Sequence, residues 1–176
     1  MPAIHLERLS PAHAPELFEA FRQSRAFHTP WVDSPATLGA VENYLAAPAE
    51  STLRYGVRTL ERELAGVINV SAIVRGAFHN AYLGFYALAP HQGRGLMREG
   101  LRAVINCSFI EHELHRLEAN VQPKNLRSSG LVRSLGFRLE GHSPRYLKIA
   151  GAWRDHDRYA LTAEEWDQRT RAVKPR

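Results

Sequence analysis

The segment from Tyr82 to Glu99 carries the densest chemistry in the 176-residue chain: an apolar run, then Gly93 and Gly95 in a polar turn, then a stretch of helical character. A glycine-rich turn between a strand and a helix leaves backbone N–H groups unpaired and open to close approach, and the helix dipole adds a positive end. That arrangement suits a pyrophosphate. Two common phosphate-binding turns are excluded. Gly93 and Gly95 begin a Gly-x-Gly-x-x-Gly, but position 98 is Arg98, and no Gly-Lys-Ser/Thr is present for a P-loop. Other chemistries are poorly served. Cys107 is the single cysteine, which excludes an intramolecular disulfide framework and multi-cysteine metal centres; on a long apolar helix it reads as a packed thiol. His112-Glu-Leu-His115 is not His-Glu-x-x-His and lacks a third ligand, so no metal is expected. No Gly-x-Ser-x-Gly suggests a hydrolase.

The elements that must hold this turn can be read from periodicity. Ile4 to Leu9 alternates like a strand, and Ser10-Pro11 opens a helix carrying Leu17, Phe18 and Phe21. Ser34-Pro35 is expected to open a second helix with Leu38, Val41, Tyr44 and Leu45 at helical spacing. Leu53 to Arg58, Leu64 to Val74 and Tyr82 to Leu88 read as a strand meander. A long helix begins near Gly95 with Leu101, Val104, Ile105 and Phe109 on one face; Arg116 to Gln122 is again a strand, and Asn125 to Leu135 a short helix closed by Gly136. Phe137 to Ile149 and Trp153 to Leu161 form the last two strands around Ala150-Gly151. The expectation is an α/β (α+β) fold: one domain over residues 1–176 with a mixed, mostly antiparallel sheet of about seven strands flanked by about four helices. Its core spans about 4–166, and a polar tail covers 167–176.

Composition sets the limits. With 44% hydrophobic residues the chain can bury a sizeable core, and mixed charge argues against disorder. No basic-then-apolar leader and no apolar run of about eighteen residues is seen, so a soluble cytoplasmic protein is expected. The net charge of +5 is uneven. Residues 1–50 hold three arginines against six acids, whereas 51–110 hold seven cations against three acids and 111–176 hold thirteen against nine. The split suggests two ligands of opposite sign.

The turn and the segments C-terminal to it resemble the Gcn5-related N-acetyltransferase (GNAT) superfamily. Gln92-Gly93-Arg94-Gly95-Leu96-Met97 is similar to its acetyl-CoA loop, and a second block, Asn125 to Ser128 followed by Leu135-Gly136-Phe137 and Glu140-Gly141, is similar to its Asn-x-x-Ser and Leu-Gly-Phe-x-x-x-Gly pattern. The likeness is closest to the ribosomal-protein-alanine N-acetyltransferases of the RimJ/RimL type. It rests on Phe27-His28-Thr29-Pro30-Trp31, Val74 to His79, Gly93 to Met97, and Gly151 to His156, and it runs roughly from Leu6 to Trp166.

That resemblance implies transfer of acetyl from acetyl-CoA to the N-terminal α-amine of a basic, ribosomal protein. It requires no metal, no membrane and no direct nucleic-acid contact, and leaves open whether the enzyme is a homodimer. It implies that pantetheine lies along the strand end at Tyr86 and Leu88, and that Gln92, Gly93, Arg94, Gly95, Leu96 and Met97 present amides to the pyrophosphate. Arg94, Arg98, Lys124 and Arg127 are candidates for the adenosine phosphates, and Asn125 for a cofactor hydrogen bond. Where many relatives carry a tyrosine acid this chain has Val132, so Ser128 becomes the candidate acid. Glu118 and His28 are candidate bases, and His28, Trp31 and Tyr146 fall on the substrate side. The acid-rich first fifty residues would then border a cationic acceptor. Plainer roles compete: Asn125 as a helix cap, Glu118 as an ion-paired carboxylate, Tyr146 as a strand residue. Two other functions remain: acetylation of a small amine such as an amino acid, polyamine or drug, and non-catalytic RNA or ribosome binding through the arginine-rich surface.

Overall fold

The computed structural model, which describes residues 4–173, turns the period-two stretches into strands and the long-period stretches into helices. The strands are β1 (His5–Arg8), β2 (Thr52–Arg58), β3 (Leu64–Val74), β4 (Asn80–Ala87), β5 (Arg116–Val121), β6 (Arg138–Ile149) and β7 (Ala152–Thr162). The helices are α1 (Ala14–His28), α2 (Leu38–Leu45), α3 (Leu96–Ile110), α4 (Leu126–Ser134) and α5 (Ala163–Val173). One sheet runs β1-β2-β3-β4-β5-β7-β6, antiparallel throughout except where β5 lies parallel to β4.

Burial divides by face. On one side Leu101, Val104 and Ile105 of α3 and Val132 of α4 pack on Val57, Ile68, Leu83 and Leu117. On the other, Leu17 and Phe21 of α1 and Val41 and Leu45 of α2 pack on Val67 and Leu88. Gly100 sets how closely α3 lies on the sheet: a Cβ there would stand 2.4 Å from Val57 Cγ2. That approach fixes the start of α3, and with it the glycine turn, over the end of β4.

Three boundaries differ from the sequence reading. Thr37, not Ser34, caps α2, its Oγ1 accepting the Ala40 N–H at 3.2 Å. Residues 32–36 are non-helical, and Asp33 accepts the Ala150 amide. A short 3-10 turn, Pro11–His13, precedes α1. Most of the expected polar tail is helical to Val173, while 174–176 lie outside the described residues. The signal for α5 is legible: Thr162-Ala-Glu-Glu165 is a capping pattern, Glu165 accepts from the Thr162 N–H at 2.8 Å, and Trp166 is buried in the core.

Arg58 ties three of these elements together. Its buried guanidinium donates to both oxygens of Glu16 on α1 (2.8 and 2.7 Å), to Glu7 on β1 and to the Arg62 carbonyl (2.9 Å). Hydrogen bonds from Arg58 hold the carboxyls of Glu7 and Glu16 below their ordinary value of 4.5. Their stabilisation is therefore complete above that value and lost as pH falls through the lowered ones. Arg58→Met should cost about 1–2 kcal/mol at pH 7, the glutamates being partly solvated. Urea unfolding repeated at stepwise lower pH should show this difference narrowing below 4.5; a pH-independent difference would contradict the assignment.

Candidate active site

The two central strands pair only briefly. Asn80, Ala81 and Tyr82 of β4 face Arg116, Leu117 and Glu118 of β5, and beyond that the strands separate. The ladder to β3 decides which backbone groups of β4 are left over. Leu88 N–H bonds the Ala65 carbonyl at 2.9 Å. Because an antiparallel ladder alternates, Tyr86 and Gly84 likewise turn to β3, and the N–H and C=O groups of Phe85 and Ala87 turn toward the split.

A cleft of about 930 Å³ opens at this split. Its walls are Phe85, Tyr86 and Ala87 of β4, the glycine turn with the start of α3, the first turns of α4, and Phe27, His28, Trp31 and Val32 at the end of α1. Gly93 and Gly95 have φ of +75° and +79°, which side chains other than glycine rarely adopt, and Gly95 caps α3. No atom lies within 4 Å of where a Gly93 Cβ would stand, so conformation rather than crowding requires glycine there. Met97 packs over β3: a Cβ on Gly66 would sit 2.0 Å from its sulfur, so the methionine at the end of the turn is accommodated by a glycine opposite.

Charge on the cleft is cationic. Arg94, Arg98, Lys124 and Arg127 line it, and its lining among the described residues contains no carboxylate. Arg94 is held by His91, whose Nδ1 lies 2.9 Å from the guanidinium. A guanidinium only donates, so Nδ1 is the acceptor and the His91 proton sits on Nε2, facing Glu63 at 3.6 Å.

The two blocks of the sequence meet across this cleft. Asn125 caps α4, its Oδ1 accepting the Ser128 N–H at 3.1 Å, so the expected cap is real; its amide donors remain for a ligand. The adjacent serines differ. Ser129 Oγ bonds the carbonyls of Asn125 and Leu126, both at 3.2 Å, whereas Ser128 lines the cleft with no hydroxyl bond among the described residues.

Most sequence candidates converge here: Tyr86, Gln92 to Arg98, Lys124, Asn125, Arg127, Ser128, His28 and Trp31 all line the cleft. Leu88 does not. Its side chain is fully buried among Leu17 and Phe21, and its amide belongs to β3. His28 serves the cleft differently from a base. Its Nε2 donates to the Ala87 carbonyl at 2.8 Å, and burial first of all pushes its pKa below 6.5, so it is a neutral strut with no accessible proton acceptor.

Glu118 and Tyr146 do not line the cleft; Glu118 is on the face that carries α1 and α2, in line with Asn120. Glu118 is 8% exposed and takes the Arg116 Nε at 3.0 Å. That arginine also grips Glu140, whose carboxyl it pulls down to about 2. Tyr146 reaches the Tyr82 hydroxyl and raises its pKa, and lies beside His156.

Four of the six acids in the first fifty residues are engaged within the fold, while Glu42 and Glu50 are exposed. Glu7 and Glu16 serve Arg58, Glu19 pairs with Arg22, and Asp33 accepts the Ala150 N–H of the β6–β7 turn at 2.9 Å. Only the adjacency of residues in three dimensions reveals this, since each partner is remote in sequence apart from Arg22.

Comparisons with known proteins agree with this geometry. The [ribosomal protein uS5]-alanine N-acetyltransferase of Escherichia coli is 46% identical over 106 residues, covering 60% of this chain and 55% of that protein. The match thus spans about half the length of that relative. The crystal structure of a ribosomal-protein-S5-alanine acetyltransferase from Vibrio fischeri superposes with a TM-score of 0.85 at 26% identity, covering 94% of this chain and 96% of that one. Mycobacterium smegmatis RimJ, solved in complex with CoA-disulfide, gives the same TM-score and identity over 92% and 83% of the two chains. Residues 4–138 match the acetyltransferase (GNAT) domain, and the chain belongs to that family.

Proposed function

We propose that this chain is an acetyl-CoA-dependent N-acetyltransferase, acting in the cytoplasm on the N-terminal α-amine of a ribosomal protein. The observation that carries the reading is the open edge of β4, whose Phe85 backbone groups and Ala87 N–H turn into the cleft that Asn125 and Ser128 also line under the glycine turn. Similarity to ribosomal-protein-alanine acetyltransferases supports the acceptor class.

Bound acetyl-CoA supplies the activated acyl group. The open β4 edge pairs with the amides of its pantetheine arm, and the N–H groups from Gln92 to Met97 receive the pyrophosphate. Arg94, Arg98, Lys124 and Arg127 neutralise the remaining phosphate charge. Asn125 orients the arm through its amide donors, and Ser128 Oγ gives a proton to the departing sulfur. Among the described residues no carboxylate lines the cleft to take a proton, which favours an acceptor that arrives neutral. An α-amine, with a pKa of about 8, meets that requirement near neutrality far better than a lysine side chain at about 10.4.

Three outcomes test this. With an alanine-initiated ribosomal-protein peptide, kcat/KM should rise with pH and level off near about pH 8, the value of the free α-amine; a plateau near that of lysine would point to a side-chain acceptor. Asn125→Ser, which keeps a capping oxygen but removes the amide donors, should raise the acetyl-CoA dissociation constant by about tenfold, read by calorimetry. Ser128→Ala should lower kcat by at least about tenfold with that constant unchanged, and equal kcat in wild type and variant would remove the acid assignment.

A further inference from the structure

On the face that carries α1 and α2, strand register aligns one transverse row of side chains. Arg54 stands opposite Asn69, and Asn69 opposite Gly84. Beyond the split, Asn120 stands opposite Arg158, and Arg158 opposite Gly141. Continuing the β4–β5 register from Tyr82 and Glu118 brings Gly84 level with Asn120, so the two halves of the row meet where the sheet opens.

The row is unusual in its charge. Arg54 and Arg158 are half-buried, and neither has a carboxylate partner among the described residues. Arg54 stacks 4.0 Å over the Tyr44 ring, and Arg158 fills the space left by Gly141, where a Cβ would stand 2.9 Å from its Nη2. The Nε atoms of both arginines and Asn120 Oδ1 are buried without a hydrogen-bond partner. Such groups are costly to leave unmade; Asn120 and Arg158 stand side by side just beyond the split, while Arg54 lies two strands before it on β2.

The α1–α2 loop is strapped over the same face. Gln122, two residues beyond Asn120 and on the same side of its strand, donates to the carbonyls of Pro30 (3.1 Å) and Trp31 (3.2 Å), and Asp33 holds the Ala150 amide. The far half of the row therefore lies near the strapped loop, on the face opposite α3 and α4. Arg158, without a carboxylate partner among the described residues, and Asn120 offer a polyamine no free anion there, the nearby Glu118 being paired with Arg116. They suit an acceptor whose amine is followed closely by a carbonyl oxygen, which a peptide N-terminus has and a polyamine or lysine side chain lacks.

We propose that Arg158 donates to the first peptide carbonyl of the acceptor while Asn120 Oδ1 accepts from its nitrogen, which makes this row the determinant that selects a chain terminus over a polyamine. The assignment rests on the N-terminal reading of the acceptor given above.

Steady-state kinetics with an alanine-initiated peptide and with spermidine, on wild type, Arg158→Met, Arg158→Lys and Asn120→Ala, test it. In Arg158→Met and Asn120→Ala the peptide KM should rise about ten- to a hundredfold, as expected for losing a charged hydrogen bond, with kcat within about twofold. The acetyl-CoA dissociation constant should not move. Arg158→Lys should recover part of the loss, and the preference for peptide over spermidine should fall in Arg158→Met. An unchanged peptide KM in both Arg158→Met and Asn120→Ala overturns the carbonyl site while leaving the N-terminal reading intact. Wild-type turnover of spermidine with none of the peptide overturns that reading itself. Should Arg158→Met fail to fold, Asn120→Ala and Arg158→Lys still decide, because each keeps the guanidinium or a cation against Gly141.

Discussion

After Tyr82 and Glu118 the sheet stops pairing down its middle, and the rest of the molecule is organised around that loss. A central strand that leaves backbone N–H and C=O groups unpaired must find partners for them or lose about 1–3 kcal/mol per buried group. The fold answers half of this demand itself. His28, kept neutral by burial, bonds the Ala87 carbonyl, and Ser24 takes the Ala89 amide at 3.0 Å. The groups of Phe85 are left to a ligand that can behave as a strand. The same parallel step from β4 to β5 forces a long crossover, and the crossover is α3, whose N-terminus therefore lies beside the open edge. One topological event thus supplies both the extended-chain site and the anion site.

Charge is sorted by face and by commitment rather than by sequence region. The cationic segments from residue 51 onward do bring Arg94, Arg98, Lys124 and Arg127 to the cleft. The acid excess of residues 1–50 is mostly consumed in holding β1, α1 and the α1–α2 loop in place. The chain of Glu118, Arg116, Glu140, Arg138 and Glu165 likewise closes on itself across β5, β6 and α5. On the proposed acceptor route this leaves Glu118, already paired with Arg116, beside Asn120 and Arg158, whose buried Oδ1 and Nε have no hydrogen-bond partners among the described residues.

Much of this is legible in the sequence because it is local. Alternation at Leu64–Val74, helical spacing at Leu101–Ile105 and the glycine pair at 93 and 95 each declare themselves within a few residues. The capping pattern at Thr162 is equally local, but the polar composition of the tail masks it. Glu118 and Tyr146 are harder, because their positions depend on which face of the sheet they occupy and on β7 inserting between β5 and β6. Leu88 shows the same limit at finer grain: its place in the strand is readable, but the direction of its amide depends on register with β3. The row from Arg54 to Gly141 crosses the sheet from β2 to β6, so no window of sequence contains it.

The open split gives the two faces a common point. From one side, β4, α4 and the glycine turn form an extended cationic cleft suited to an anionic, strand-like donor. From the other, the strapped α1–α2 loop and the β6–β7 hairpin cover a short polar floor. A nucleophile reaching the end of β4 by the second route must pass Tyr82, Glu118 and Asn120, where the space is bounded by two strands still close together. Gly84 leaves that point without a side chain, the nearest Asn69 atoms standing at ordinary contact distances of 3.8 and 3.9 Å from where its Cβ would be. An acceptor on that route meets polar side chains at the point where β4 and β5 are only beginning to part. The same separation of strands that exposes backbone to the donor therefore limits what can approach it from behind.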